Sequence, residues 1–346
     1  MTSRRAITAT APIRICDLGG WTDTWAARRG CVLNIAVEPL VEVELQALPR
    51  RTSRAAITIE AANYGIRYAP DLDAAEWGPH PLLEGALRTI RPPDDVELVV
   101  TVRSAAPPGA STGTSAAVLV ALLGALDRLV GGSRTAARLA SDAHQIETQL
   151  LGQESGVQDQ LCAAHGGINF IEIPEYPRAA VQPLALPIDI CQALDQRLVL
   201  IYLGRPHHSS AVHKRVVDDL EQHGPDYAPL EALRAAAIAG RAALVAGDLV
   251  AFGHAMCDNT NAQAALHADL VHPDVRGLIA LAERHAALGW KVNGAGGDGG
   301  SLTVLTADPE DARAALLDSI ARTSPLTSAI PITLSPHGLR IAEAVQ

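Results

Sequence analysis

Apolar positions along the chain follow two periods. Within 32–48 (VLNIAVEPLVEVELQAL), Val41, Val43 and Leu45 alternate with polar neighbours, which predicts a strand interrupted at Pro39. Segments 56–60 and 96–103 (VELVVTVR) are rich in β-branched residues and predict two further strands. Between them, 68–93 holds prolines, Trp77 and a short helix. The period then lengthens. A Pro/Gly/Ser/Thr loop runs into the apolar stretch 116–126, predicting a helix over 114–130. The breaker GGS at 131–133 separates it from a second helix over 134–150. SGVQDQLCAAHGGINFIEI reads as a loop, a short helix, a Gly-Gly turn and a strand.

Residues 174–187 are proline-bearing, read as irregular, and form the expected boundary. The second half opens with a strand over 197–203, followed by helices near 209–222, 229–246, 248–265 and 274–288. The glycine-dense loop NGAGGDGG enters a strand over 301–306, and a helix over 309–322 with strands near 329–335 and 338–342 ends the chain. Strands and helices mix without a regular βαβ period, so an α+β fold is predicted rather than a doubly wound sheet.

Length and composition narrow this picture. At 346 residues two domains are expected, 1–187 and 188–346. With 48% hydrophobic and 19% charged residues the chain can bury substantial cores, and with 3% aromatics those cores rest on Ala, Val, Leu and Ile. A net charge of −10 makes a poor general binder of nucleic acid or anionic membrane. No apolar run approaches the ~18 residues of a membrane span. The start lacks the apolar core of a signal peptide. Five cysteines without a C-x-x-C pair suit reduced thiols in a cytoplasmic protein.

Three motifs carry chemistry. In PPGASTGTSAA, glycines at 109 and 113 let backbone N–H groups approach an anion at a helix start, and Ser111, Thr112, Thr114 and Ser115 add hydroxyls. That makes a phosphate cradle, with a plain N-capped helix as the alternative. Glu147 and Asp159, twelve positions apart across a loop, supply carboxylates of the kind a magnesium nucleotide and an attacking alcohol need. In APIRICDLGGWTDT, Arg14 sits in an apolar strand and wants a carboxylate partner, while a Gly-Gly turn presents Trp21, Thr22 and Asp23. A fourth group, GRPHHSSAVHKRV, gathers Arg205, His207, His208, Ser209, Ser210, His213 and Lys214 near a helix start. It suits a second phosphate on the substrate; no zinc-ligand spacing is present.

Together these motifs resemble the GHMP kinases (galactokinase, homoserine kinase, mevalonate kinase and phosphomevalonate kinase). APIRICDLGGWTDT is similar to the family's first motif, PPGASTGTSAA to its phosphate loop, and NGAGGDGGSLTVL to its third glycine-rich motif. Within the family, GVQDQLCAAHGGINF resembles heptose 7-phosphate kinases and LGGWTDT resembles fucokinases as well. Gly20 and Trp21 replace the Glu and His of galactokinases, which disfavours galactose. The resemblance implies a two-domain α+β fold with mixed and antiparallel sheets covered by helices. It implies an ATP-dependent kinase of a sugar hydroxyl, expected to be anomeric. The acceptor would be D-glycero-D-manno-heptose 7-phosphate or a neutral sugar such as fucose. It also implies the roles. Asp159 is the catalytic carboxylate and Arg14 its partner. Pro108, Gly109, Ala110, Ser111, Thr112, Gly113, Thr114 and Ser115 hold the nucleotide phosphates. Ser115 and Glu147 hold Mg2+. Gly20, Trp21, Thr22, Asp23, Gly294, Gly296 and Gly297 surround the sugar, with Arg205 as a further contact. Ser111 and Asp298 stand where the family has glycine, which leaves a non-catalytic nucleotide and sugar sensor as an alternative.

Overall fold

The computed structural model describes residues 4–50, 56–205, 210–307, 310–323 and 326–345. Among the described residues, a nine-stranded sheet and a four-stranded sheet are joined by helices. The large sheet is organised around the strand Gly30–Pro49, which pairs antiparallel with Arg5–Leu18 on one side. On the other side it pairs with Val96–Ser104 along one half and with Ile168–Glu175 along the other. Pro39, which has no N–H to donate, falls between the paired segments, so the strand continues past it.

Burial explains why only half of this strand alternates. Val41, Val43 and Leu45 are buried, while Glu42 and Glu44 both accept from Arg103 on the exposed face. Residues 31–37 are buried at every position, because the helix Ala228–Ala246 covers the second face there. The helix Thr114–Leu129 packs on Arg5–Leu18 and Gly30–Pro49 with a nearly continuous apolar face.

The small antiparallel sheet runs Ser328–Ile330, Leu198–Tyr202, Ser301–Leu305, Gly289–Val292. One core cluster joins both sheets, reaching from Ile7 and Leu45 to Leu200, Leu244 and Phe252. No described helix is long and apolar enough to cross a membrane.

The structure differs from the sequence reading around the expected boundary. Residues 174–187 form part of an ordered hairpin, Ile168–Glu175 with Arg178–Pro183. Pro174 falls at the register shift between Glu172 and Glu175, Pro177 in the turn and Pro183 on the outer strand, where missing donors cost little. The helix Ile188–Arg197 follows; only Leu194 of it is buried, so it left almost no apolar period to read. A division at 187/188 also leaves out the end of the chain. Thr333–Leu334 pairs with Gly30–Pro49, and Arg340–Val345 pairs with Arg5–Leu18, covering an otherwise open edge of the large sheet.

Candidate active site

The phosphate loop leaves the strand Val96–Ser104 and ends at Gly113, the first residue before the helix Thr114–Leu129. No side chain caps that helix, so its first N–H groups stay free, with the positive end of its dipole behind them. Gly109, Ser111 and Gly113 have φ of 72°, 56° and 71°. Ser111 thus holds the left-handed backbone that a glycine would adopt freely, and its carbonyl is bound by Arg14 Nη1. A Cβ on Gly113 would lie 3.2 Å from Asp159 Oδ2 and 3.3 Å from Arg14 Cγ. The loop therefore passes close against the charged pair, where a side chain would be crowded as well as strained by the positive φ. Thr112 Oγ1 and Thr114 Oγ1 lie 3.2 Å apart, and Ser115 is exposed at the helix start.

Arg14 and Asp159 meet across 145 positions of sequence. Arg14 Nε donates to Asp159 Oδ1 at 2.8 Å and Nη2 to Oδ2 at 3.2 Å, a forked pair. Asp159 lies in the first turn of the helix Gln158–His165 and Arg14 in the strand Arg5–Leu18. Burial opposes the charge on Arg14, but Asp159 and then Asp17 outweigh it, and the guanidinium is held more firmly protonated than usual.

Asp23 is 3% exposed and accepts the Gln158 N–H at 3.2 Å. Burial first, and the Asp159 charge second, push its carboxyl up to about 6. Trp21 lies beside it, with its indole N–H donating to Ala295 O at 3.3 Å. Thr22 turns inward instead. Its hydroxyl donates to Gly19 O at 2.7 Å and holds the turn. Gly20 is a spacer, since a Cβ there would meet Asp17 Oδ2 at 2.8 Å.

Glu147 sits where the helix Ala136–Gln145 widens into the π turn Ile146–Leu150, a departure from the single helix predicted over 134–150. The wider turn brings the carboxylate inward, 6% exposed. Glu147 Oε2 accepts from Ser155 Oγ at 2.6 Å and Gln160 Nε2 at 2.5 Å. Burial lifts its carboxyl to about 7 despite those two donors. Gln160 Oε1 is buried with no hydrogen-bond partner among the described residues. The Glu147 carboxylate, the unmatched Gln160 carbonyl oxygen and the Ser115 hydroxyl in the wall of the same cavity are the kind of oxygen donors that a magnesium ion prefers. Among the described residues no three His, Cys, Asp or Glu side chains cluster as an all-protein metal cage.

Two cavities meet at Asp159. One, about 980 Å3, is lined by Gly109–Ala116, Glu147, Gln153 and Gln160. The other, about 560 Å3, is lined by Asp17, Trp21, Asp23, Thr24 and Gln158. Arg14, Glu154, Ser155, Asp159, Gly294 and Ala295 line both. A third cavity of about 690 Å3 continues past Pro108, Gly109 and Ser115 between apolar walls from Leu82, Leu83, Val102 and Val118. Its apolar lining suits a flat heterocycle.

The remaining candidates lie elsewhere. Gly297 N–H donates to Leu270 O at 2.9 Å, and Gly296 faces the same carbonyl, so both shape the third loop from behind. Asp298 is exposed and lines neither main cavity. Arg205 is engaged by Asp274 and likewise lines neither. His207, His208 and Ser209 fall outside the described residues.

Sequence reasoning missed Asp17, Lys291, Ser155 and the apolar cavity. Asp17 had a signal, a lone carboxylate in the apolar run IRICDL. Ser155 and the cavity walls had none.

The chain matches the GHMP kinases N terminal domain over 82–167 and the GHMP kinases C terminal domain over 241–319. It is 28% identical over 264 residues to mevalonate kinase of Thermococcus sibiricus, covering 72% of this chain and 70% of that one. It is 27% identical over 200 residues to D-glycero-alpha-D-manno-heptose 7-phosphate kinase of Campylobacter jejuni, covering 56% of this chain and 57% of that one. The D-glycero-D-manno-heptose 1-phosphate kinase structure from Bacteroides thetaiotaomicron superposes with a TM-score of 0.74 at 20% identity, covering 97% of this chain and 98% of that one.

Proposed function

The chain belongs to the GHMP kinases, phosphotransferases acting on hydroxyl groups, and on that premise we propose that it moves the γ-phosphoryl of ATP to a hydroxyl of a sugar that presents an uncharged end to Asp159. The observation that carries this reading is the place of Asp159. Its carboxylate, forked by Arg14, lies in the wall common to the phosphate-loop cavity and the acceptor cavity.

The free N–H groups of the loop and of the helix start bind the phosphates, and the apolar cavity beyond Pro108 takes the base. Glu147 and Ser115 would hold magnesium, with Ser155 orienting the Glu147 carboxylate. When bound, the metal neutralises charge on the phosphoryl oxygens. Asp159 accepts or orients the proton of the attacking hydroxyl, and Arg14, which cannot deprotonate, keeps it aimed through the forked pair. Asp23 and Trp21 contact the sugar.

The acceptor cavity favours a neutral sugar over a heptose 7-phosphate. Its described walls carry four carboxylates (Asp17, Asp23, Glu154 and Asp159) against Arg14, which Asp159 already engages, and Lys291 behind Asp17, so carboxylates still outnumber the cations two to one. A phosphate entering there meets repulsion. Arg205, the cation expected to receive it, is paired with Asp274. Turnover is favoured over a non-catalytic sensor by two placements: Ser111 keeps the left-handed backbone, and Asp298 stays outside both cavities.

The test is ADP release with L-fucose, D-mannose, D-glycero-D-manno-heptose 7-phosphate and mevalonate as acceptors. The highest kcat/KM is expected for a neutral sugar. Preference for either anionic acceptor would overturn the choice of sugar, and absence of turnover with all four would favour the sensor.

A further inference from the structure

Arg14 stands between two carboxylates. It forks Asp159 at 2.8 and 3.2 Å, and its Nη1 is 3.9 Å from Asp17 Oδ1. Asp17 is fully buried and would be the stronger competitor for a guanidinium, since a buried charge gains most from a partner. Arg14 nevertheless faces Asp159. The reason lies on the other side of Asp17. Lys291 Nζ, from the strand Gly289–Val292 of the small sheet, lies 3.4 Å from Asp17 Oδ1 and is 1% exposed. The Gly294 N–H reaches both Asp17 oxygens, at 3.1 and 3.0 Å. Asp17 is thus satisfied before Arg14 is considered.

Lys291 is placed for this and for little else. Its ammonium is deep, and burial pulls its pKa down while Asp17 pulls it back up. Its other acceptors are Gln263 Oε1 at 3.2 Å and the Val292 carbonyl. Gln263 in turn donates to Gly294 O at 3.1 Å. Gly294 is therefore held at its N–H by Asp17 and at its carbonyl by Gln263, with Lys291 bridging the two holders. Gly294 lines both cavities, and a Cβ there would lie 3.3 Å from Arg14 Nη2.

We propose that Lys291 is a positioning residue: by supplying the counter-charge of Asp17 it keeps Asp17 from drawing Arg14 off Asp159. The inference rests on the reading of Asp159 as the catalytic carboxylate. It connects the small sheet to the reacting centre without any contact to substrate. Removing the ammonium leaves Asp17 with one cation in reach, Arg14, and the fork on Asp159 opens. Removing the Asp17 charge as well takes the competitor away, and the fork closes again.

The test is a double-mutant cycle of Lys291→Met and Asp17→Asn, run with the acceptor that gives the highest rate among the four named above. Thermal midpoints and KM for ATP are measured beside kcat. Lys291→Met is expected to lower kcat by about tenfold or more with KM for ATP within about twofold, and the double variant is expected to match Asp17→Asn within about threefold. Shared loss of acceptor affinity through position 17 cancels in that comparison. If Lys291→Met does not fold, the comparison of the double variant with Asp17→Asn still decides, because neither leaves an unpaired buried carboxylate at 17. A double variant about tenfold or more slower than Asp17→Asn overturns the proposal, as does parental kcat in Lys291→Met. A purely structural Lys291 would lower the thermal midpoint and leave kcat per folded site unchanged. Asp159→Asn is run alongside: undiminished turnover there sinks the reading of Asp159, whereas its loss together with a failed cycle sinks only the role of Lys291.

Discussion

The two cavities that meet at Asp159 are built from different materials. The phosphate side is made of backbone: a loop with three left-handed residues, an uncapped helix start and a few hydroxyls. The acceptor side is made of side chains, four of them carboxylates, drawn from segments as distant as Asp17, Asp23 and Glu154. A backbone cradle takes any polyphosphate and discriminates little. A carboxylate-lined cavity hydrogen-bonds hydroxyls and repels anions. On the proposed function, generic donor binding and selective acceptor binding are separated in space, with one ion pair shared between them.

Five substitutions probe that separation, and the largest effect belongs to the shared group. Asp159→Asn is expected to lower kcat by at least ~100-fold while MgATP affinity, read by calorimetry, changes little. Next, Glu147→Ala and Ser115→Ala act on the phosphate side alone. Both should raise the magnesium concentration needed for half-maximal rate and weaken MgATP roughly fivefold to tenfold, with the acceptor KM unchanged. Matching magnesium titrations for variants and parent would falsify the metal assignment.

Asp23→Asn acts on the acceptor side alone. A few-fold rise in acceptor KM with ATP untouched is the expected outcome of steady-state kinetics. Its pH signature is separate. The carboxyl is raised from 3.8 to about 6 by burial and by Asp159, so the folded protein holds that proton after the unfolded chain has lost it. The stability this contributes is complete below pH ~4 and is lost as pH rises through ~6, roughly 2–3 kcal/mol in all. Thermal midpoints of Asp23→Asn should therefore fall less over that window than those of the parent. The smallest effect is expected from Arg205→Ala. With its guanidinium on Asp274 at the surface, the change in acceptor KM should stay below about twofold. A larger rise, with a phosphorylated acceptor preferred, would return the phosphate-binding role to Arg205.

Elements whose residues lie next to one another were legible. The helix over 114–130 appears as Thr114–Leu129, and the alternation at Val41, Val43 and Leu45 marks a real half-buried strand. The first strand of the hairpin at 168–183 was legible, but its return strand Arg178–Pro183 was hidden because Pro177 and Pro183 read as breaks, although in a turn and on an outer strand they are harmless. The helix Ile188–Arg197 was hidden because it buries a single residue.

For the site, the order of residues was enough to single out a flexible loop before a long helix, an arginine in an apolar strand and a carboxylate at a helix start. These are local features, set by backbone freedom and by the cost of burying a charge, and both act over a few adjacent positions. Only the folded chain decided which charges meet. Nothing in the spacing of Asp17 and Lys291, 3.4 Å apart, foretells their contact, and the same holds for the four carboxylates around the acceptor. The reason is physical. Coulomb energies depend on distance and burial, which packing sets, and they leave no period along the chain for a reader of sequence to follow.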